Sequence, residues 1–313
     1  MDELTHQSSM IKAEAVNLGF DGCGISRAGY LAADASRLTQ WLKEKYHGSM
    51  SWMENHFEKR TDPTKLVEGA QSVISVILNY YPSEHQHAED APVVAKYAYG
   101  EDYHDVIRKK LKILLDFINT TITPVSGRAF TDSAPVLDRA WAARAGLGWI
   151  GKNTNLISPE TGSFVFIGSL MVDIPLHYDN PIGDLCGDCN RCIRACPTGA
   201  IIAPRVIDAG KCISYLTIEH KGEIDEAYRD KFMNRVFGCD ICQDVCPWNR
   251  RSVPHRVKEF QPLPGLLEMD REDWHSLDEK QFTVRFKKSA LKRAKFDGIK
   301  RNLDFIRPNN EMT

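Results

Sequence analysis

Two cysteine runs constrain this chain more than anything else in it. The first, Cys186–Ile201, reads "CGDCNRCIRACPTGAI"; the second, Cys239–Asn249, reads "CDICQDVCPWN". Eight of the nine cysteines lie between residues 186 and 246, so a fold must bring these loops together. The N-terminus "MDELTHQSSMIKAEAVNLGF" is polar and acidic, with no signal-peptide apolar core, twin-arginine pair or spanning segment. A cytoplasmic protein without a membrane partner is therefore expected. Thiols stay reduced in that compartment, and the runs are read as metal ligands, not disulfides. Cys23 stands apart and is expected to be a small buried hydrophobe.

The first run is C-x2-C-x2-C-x3-C-P: Cys186, Cys189, Cys192, Cys196 and Pro197. This is the bacterial ferredoxin spacing, in which three thiolates clasp one cluster and the fourth reaches a second. Two-residue gaps let the loop wrap a cluster corner, and the proline fixes the turn after it. The second run supplies Cys239, Cys242 and Cys246 before Pro247, one cysteine short. A duplicated ferredoxin would place the missing ligand at 236, which is Val236; the displaced ligand is then Cys212, in "DAGKCISYL". By the crossing rule, one [4Fe–4S] cluster takes Cys186, Cys189, Cys192 and Cys246, and the other takes Cys196, Cys212, Cys239 and Cys242. A pair of four-cysteine zinc sites is the alternative, but zinc does not explain two matching cysteine–proline endings.

The 313 residues exceed what two clusters need and suggest one large or two moderate domains. Helices are expected over 8–18, with a serine cap, over 36–53, ending near Gly48, and over 105–120. The Ala-rich "LDRAWAARAG" is a further helix. Strands are expected at Ser72–Tyr81, Val94–Gly100, "GRAF" and Gly162–Asp173. This mixture predicts an α/β (α+β) domain over 1–175, a bacterial-ferredoxin-like two-[4Fe–4S] domain over 176–250, and a basic C-terminal segment over 251–313. A net charge of −2 excludes a global field for a polyanion, so any such partner needs a local patch.

Two clusters in series are a wire. A bare electron carrier would leave the upstream domain idle, so a redox cofactor is expected there. No G-x-G-x-x-G after a strand, no P-loop and no D-x-H-x-x-G corrinoid signature is present; "DYHDVI" lacks the glycine. The segments "KRTDPTKLVEGAQSVISV", "YGEDYHDVIRKKL" and "FTDSAPVLDRAWAARAGLGWIGKNTNLISPETGSFVFIG", with the runs ending in "CPWN", resemble the epoxyqueuosine reductase family over nearly the whole chain.

That resemblance implies a nitroreductase-like sheet and cobalamin beside the clusters. It also implies a tRNA substrate whose wobble-position epoxide is reduced to the alkene of queuosine. Asp132 matches the family's proton donor, a role that needs burial or a nearby anion to keep the acid protonated. Asp138 competes as a carboxylate but is expected to cap or pair on the next helix. Arg60 matches a position that contacts cobalamin, Lys152 and Asn153 are placed to clasp its side chains, and Asp240 to face its edge. Without a histidine signature, the cobalamin is expected base-off. Lys292, Arg293 and Lys295 lie in a cationic run with Arg285, Lys287, Lys288, Lys300 and Arg301, which suits tRNA phosphates. A monomer using an unidentified external electron donor is expected. A cobalamin-dependent reductive dehalogenase, the remaining rival, would carry an export signal.

Overall fold

The β-branched run Ser72–Asn79 forms a strand on which every residue is buried. Both faces are covered, and alternation along the strand decides what covers each. Ile74, Val76 and Leu78 pack with Ile11 and Ala15 of the helix Glu3–Asn17 and with Ile107 and Leu111 of the helix Tyr103–Phe117. Val73 and Ile77 face the opposite way, toward Trp141 and Ala142 of the helix Asp138–Arg144. The computed structural model describes residues 2–88 and 90–306.

Four antiparallel strands make the main sheet: β1 (Gly22–Arg27), β2 (Ser72–Asn79), β3 (Gly127–Phe130) and β4 (Val165–Val172), in the order β1-β2-β4-β3. The β3–β4 register sets Phe130 against Ser169, which places the loop after β3 beside the middle of β4. Gly168 lets the helix Tyr103–Phe117 lie close on the sheet, since a Cβ there would stand 2.6 Å from Ile107 Cγ2. The mixed α/β architecture expected from the sequence is present.

Several elements differ locally from expectation. The first helix starts at Glu3, because Asp2 caps it by accepting from the Thr5 N–H at 2.8 Å; no serine does so. The second runs Ala32–Lys43 and gives way to turns before Gly48. The expected strand Val94–Gly100 is only Val93–Val94 followed by a 3-10 turn, Lys96–Ala98. The Asp240 carboxylate accepts from the Lys96 backbone N–H at 2.8 Å, which takes that group out of any ladder.

Val93–Val94 pairs in parallel with Arg235–Phe237, tying the upstream chain to the cysteine-bearing part. Val94, Ala98 and Tyr99 share one core with Ile213, Phe232, Val236, Trp274, Phe286 and Leu303. The segment beyond residue 250 therefore packs on the cysteine-bearing segment. No described helix is long and apolar enough to cross a membrane.

Candidate functional site

Cys186, Cys189, Cys192 and Cys246 line one cavity, together with Lys152, Asn153, Arg191 and Trp248. The Trp149 indole N–H points at the Cys186 sulfur at 3.4 Å. In the second set, Cys212 faces Cys196, Cys239 faces Cys212, and Cys242 faces both Cys239 and Cys212. Cys242 also feels Cys192, so the two sets approach each other there.

Burial pushes the thiols of Cys212 and Cys242 up, and that of Cys239 to about 12. Backbone N–H groups oppose this, Ser214 and Tyr215 at Cys212 and Ile241 at Cys239; the Ala200 N–H likewise donates to the Cys196 sulfur at 3.2 Å. Thiolates in such surroundings require a cation, and amides aimed at sulfur are the donors an iron–sulfur cube uses. The residues fit that group. Val236, the position a duplicated ferredoxin would use, is fully buried in the core. Cys23 is packed partly against the sheet core, and burial raises its thiol to about 12, in keeping with a structural role.

A second constellation forms where β3 ends. Asp132 adopts φ 49°, a left-handed conformation that aspartate tolerates better than most residues. This turns its side chain outward, and it is 69% exposed. The burial that an acid role calls for is thus not supplied by the chain alone. Tyr103 Oη donates to Asp132 Oδ2 at 2.5 Å, and the Tyr103 ring stacks on Phe166 of β4 with centroids 4.1 Å apart. His104 Nε2 lies 3.8 Å from the same carboxylate oxygen. Behind the loop, Asp138 accepts from Ser169 Oγ at 2.8 Å and faces the Asp132 backbone N–H. Burial raises its carboxyl to about 7, helped by the Asp132 charge.

Arg60 is 7% exposed. Its guanidinium donates to the Trp52 carbonyl at 3.1 Å and feels Asp138, while its Nε has no partner. An unpartnered buried donor beside these carboxyls fits a cofactor bearing amide and phosphate oxygens. Tyr97 connects the two constellations: Asp132 and Asp240 both act on its hydroxyl, and its ring lies 6.0 Å from that of Phe237.

The side chains of the other expected contacts have partners within the chain. Lys152 Nζ donates to the Gly187 carbonyl at 2.6 Å, and Asn153, 3% exposed, donates to the Cys242 carbonyl at 3.4 Å. Both hold cluster loops. Asp240 is buried, with its oxygens engaged by the Lys96 N–H and by Gln243 at 3.3 Å. Lys292 pairs with Asp102 at 2.8 Å, and Arg293 grips Glu219 with two bonds of 2.9 and 2.8 Å. Arg293 also feels Asp132 and Tyr103, so these cations rim the aspartate site. Lys295 is exposed, whereas Arg301 turns inward to the carbonyls of Leu216 and His220. The sequence reading missed Asp102, Tyr103 and His104. Their signal was the D-x-H at the helix start, set aside for want of a glycine.

The chain was compared with known proteins. A family model described as epoxyqueuosine reductase QueG, DUF1730, matches residues 60–133, and a 4Fe-4S double cluster binding domain matches residues 185–249. An epoxyqueuosine reductase of Cellulophaga algicola is 55% identical, covering 98% of this chain and 100% of its own. A crystal structure of epoxyqueuosine reductase with an epoxyqueuosine-modified tRNA-Tyr stem loop superposes with a TM-score of 0.87 at 32% identity, covering 96% of this chain and 80% of that one. A Bacillus subtilis epoxyqueuosine reductase, described with its catalytic aspartate loop swung out of the active site, gives a TM-score of 0.89 at 30% identity, over 96% of this chain and 81% of that one. Matched by that family's model and 55% identical to one of its members over nearly its whole length, this chain belongs to the epoxyqueuosine reductase family.

Proposed function

We propose that the chain reduces epoxyqueuosine within a tRNA anticodon loop, with Asp132 as the acid, cobalamin bound base-off at the Arg60–Asp132 face, and two [4Fe–4S] clusters held by the crossed cysteine quartets. The observation that carries this reading is the position of Asp132. It closes the end of β3 on a left-handed residue, with Tyr103 on its carboxylate and Asp138 behind it. A relative described with an aspartate-bearing catalytic loop swung out of its active site supports it.

Cobalamin, when bound, supplies low-valent cobalt as the reducing centre. The chain's own residues do the rest. The Arg60 Nε is free to hold a corrin amide or phosphate oxygen. Asp132 protonates the departing oxygen, and the substrate covering it provides the burial that the free loop lacks. Tyr97 fills the space toward Asp240 and the second cluster loop. Reconstituting the protein anaerobically with iron, sulfide and cobalamin should give about eight irons and about one corrin per chain. Epoxyqueuosine tRNA should be converted only by the corrin-loaded form, with a chemical reductant. Conversion at the same rate without corrin would remove cobalamin from this reading.

Lys292 and Arg293 rim the site, with Lys295 exposed two residues on, where a stem loop presenting its base to Asp132 brings its phosphates. The relative's stem-loop complex supports that placement. Lys295, exposed and with no acidic partner in ion-pair range among the described residues, is the cleanest probe. Lys295→Glu is expected to weaken stem-loop binding and lower the slope of log affinity against log salt by about one. An unchanged slope, measured by anisotropy across salt concentrations, moves the phosphate contact elsewhere.

A further inference from the structure

We infer that His104 recharges Asp132 with a proton within each turnover, so that one carboxylic acid serves both protonations of the departing oxygen. This rests on the reading of Asp132 as the acid. Turning an epoxide into an alkene and water consumes two electrons and two protons, and both protons end on the same oxygen. The electrons are those of the reductase reaction. Breaking the Asp132 Oδ–H bond makes the first O–H bond as the ring opens. The second O–H bond, which lets the oxygen leave as water, needs Asp132 protonated again while the substrate still covers it.

An imidazole stands in the right place for this. His104 Nε2 is 3.8 Å from Asp132 Oδ2, and its Nδ1 is 2.6 Å from Asp102 Oδ1. Asp102 is 8% exposed and also pairs with Lys292 at 2.8 Å. Burial works against its charge, yet the His104 and Lys292 contacts hold its carboxyl well below the usual carboxylate range. An anionic Asp102 keeps a proton on Nδ1 and aims Nε2 at Asp132, the arrangement by which a carboxylate orients a histidine. In the transfer, the Nε2–H bond breaks and an Asp132 Oδ2–H bond forms, either after a small rotation or through one bridging water. The ring is left neutral with its proton on Nδ1. Its side chain is 26% exposed, so solvent can restore the Nε2 proton.

The remaining neighbours are accounted for. Tyr103, stacked on His104 with centroids 4.1 Å apart, orients Oδ2 but does not supply the proton, because burial and the adjacent Asp132 push its phenol well above the ordinary range. Arg293 faces Asp132 and Tyr103 from the rim. Arg108 donates to the His104 backbone carbonyl and leaves the ring alone. His104 thus acts through Asp132 and does not itself touch the substrate.

The test uses the full chain loaded with its cofactors and an epoxyqueuosine stem loop. His104→Gln should bind the stem loop as the parent does, turn over at least about tenfold more slowly, and lose the alkaline limb of the kcat profile. Added imidazole should restore part of the rate. Asp102→Asn keeps the ring but removes the anion behind it, so its alkaline limb should move to lower pH. A His104→Gln enzyme with the parent's rate and limb overturns the relay. So does a slow variant that imidazole does not rescue and whose limb is unmoved. If Asp132→Asn is inactive while those results appear, only the relay falls; if Asp132→Asn turns over normally, the acid assignment falls with it.

Discussion

Asp132→Asn is expected to lower turnover of epoxyqueuosine tRNA by about 10²–10⁴-fold while leaving corrin and tRNA binding intact. Asparagine matches aspartate in shape and tolerates the left-handed backbone at φ 49° equally well, so the loop after β3 keeps its course. An amide oxygen can still accept from Tyr103 Oη, which holds the side chain in place today at 2.5 Å. What the amide lacks is a transferable proton. The departing oxygen must then leave as an alkoxide or wait for solvent. Single-turnover assays with the corrin-loaded protein separate this from a binding defect, because the loss should appear in the rate and not in the stem-loop concentration needed for half-saturation. Parent-like turnover in Asp132→Asn would remove the acid from this position, with Asp138, whose carboxyl burial raises to about 7, the next candidate.

Cys212→Ala should halve the iron content of the reconstituted protein, from about eight toward about four per chain, and abolish reduction of the substrate. Cys212 is the least obvious of the eight proposed ligands because it lies outside both runs. Its surroundings argue for it: it precedes the helix Ile213–Ile218, whose Ser214 and Tyr215 N–H groups point back at the sulfur, and it faces Cys196 and Cys239. Removing it leaves three thiolates for the second cube while the cavity of Cys186, Cys189, Cys192 and Cys246 is untouched. Cys23→Ala is the control and should change neither iron nor activity, since Cys23 sits on β1 away from both quartets. Iron content that stays near eight in Cys212→Ala would show that the second cube takes its fourth ligand elsewhere.

The double-cluster domain was legible from spacing because cubane ligation is a local rule. A C-x2-C-x2-C loop can wrap little else, and Cys212 is the one cysteine lying between the two runs, where the displaced ligand was sought. The main strands were legible for a similar reason, since Ser72–Asn79 carries a β-branched run that only a doubly covered strand accommodates. Asp132 became visible only through resemblance, because "DSAP" is ordinary turn chemistry.

The sequence by itself determined the metal chemistry, the mixed α/β sheet and the family, all of which follow from short-range spacing or from long matching segments. Only the tertiary structure decided which polar side chains serve which centre. Lys152, Asn153 and Asp240 proved to be committed to cluster loops and to the Lys96 backbone, and Lys292 to Asp102. The same folding set His104 between two aspartates that lie 30 residues apart in the chain, Asp102 and Asp132. The physical reason is that a buried polar group must find a partner. Which partner lies within reach is settled by sheet register and helix packing, and neither can be read from neighbouring letters.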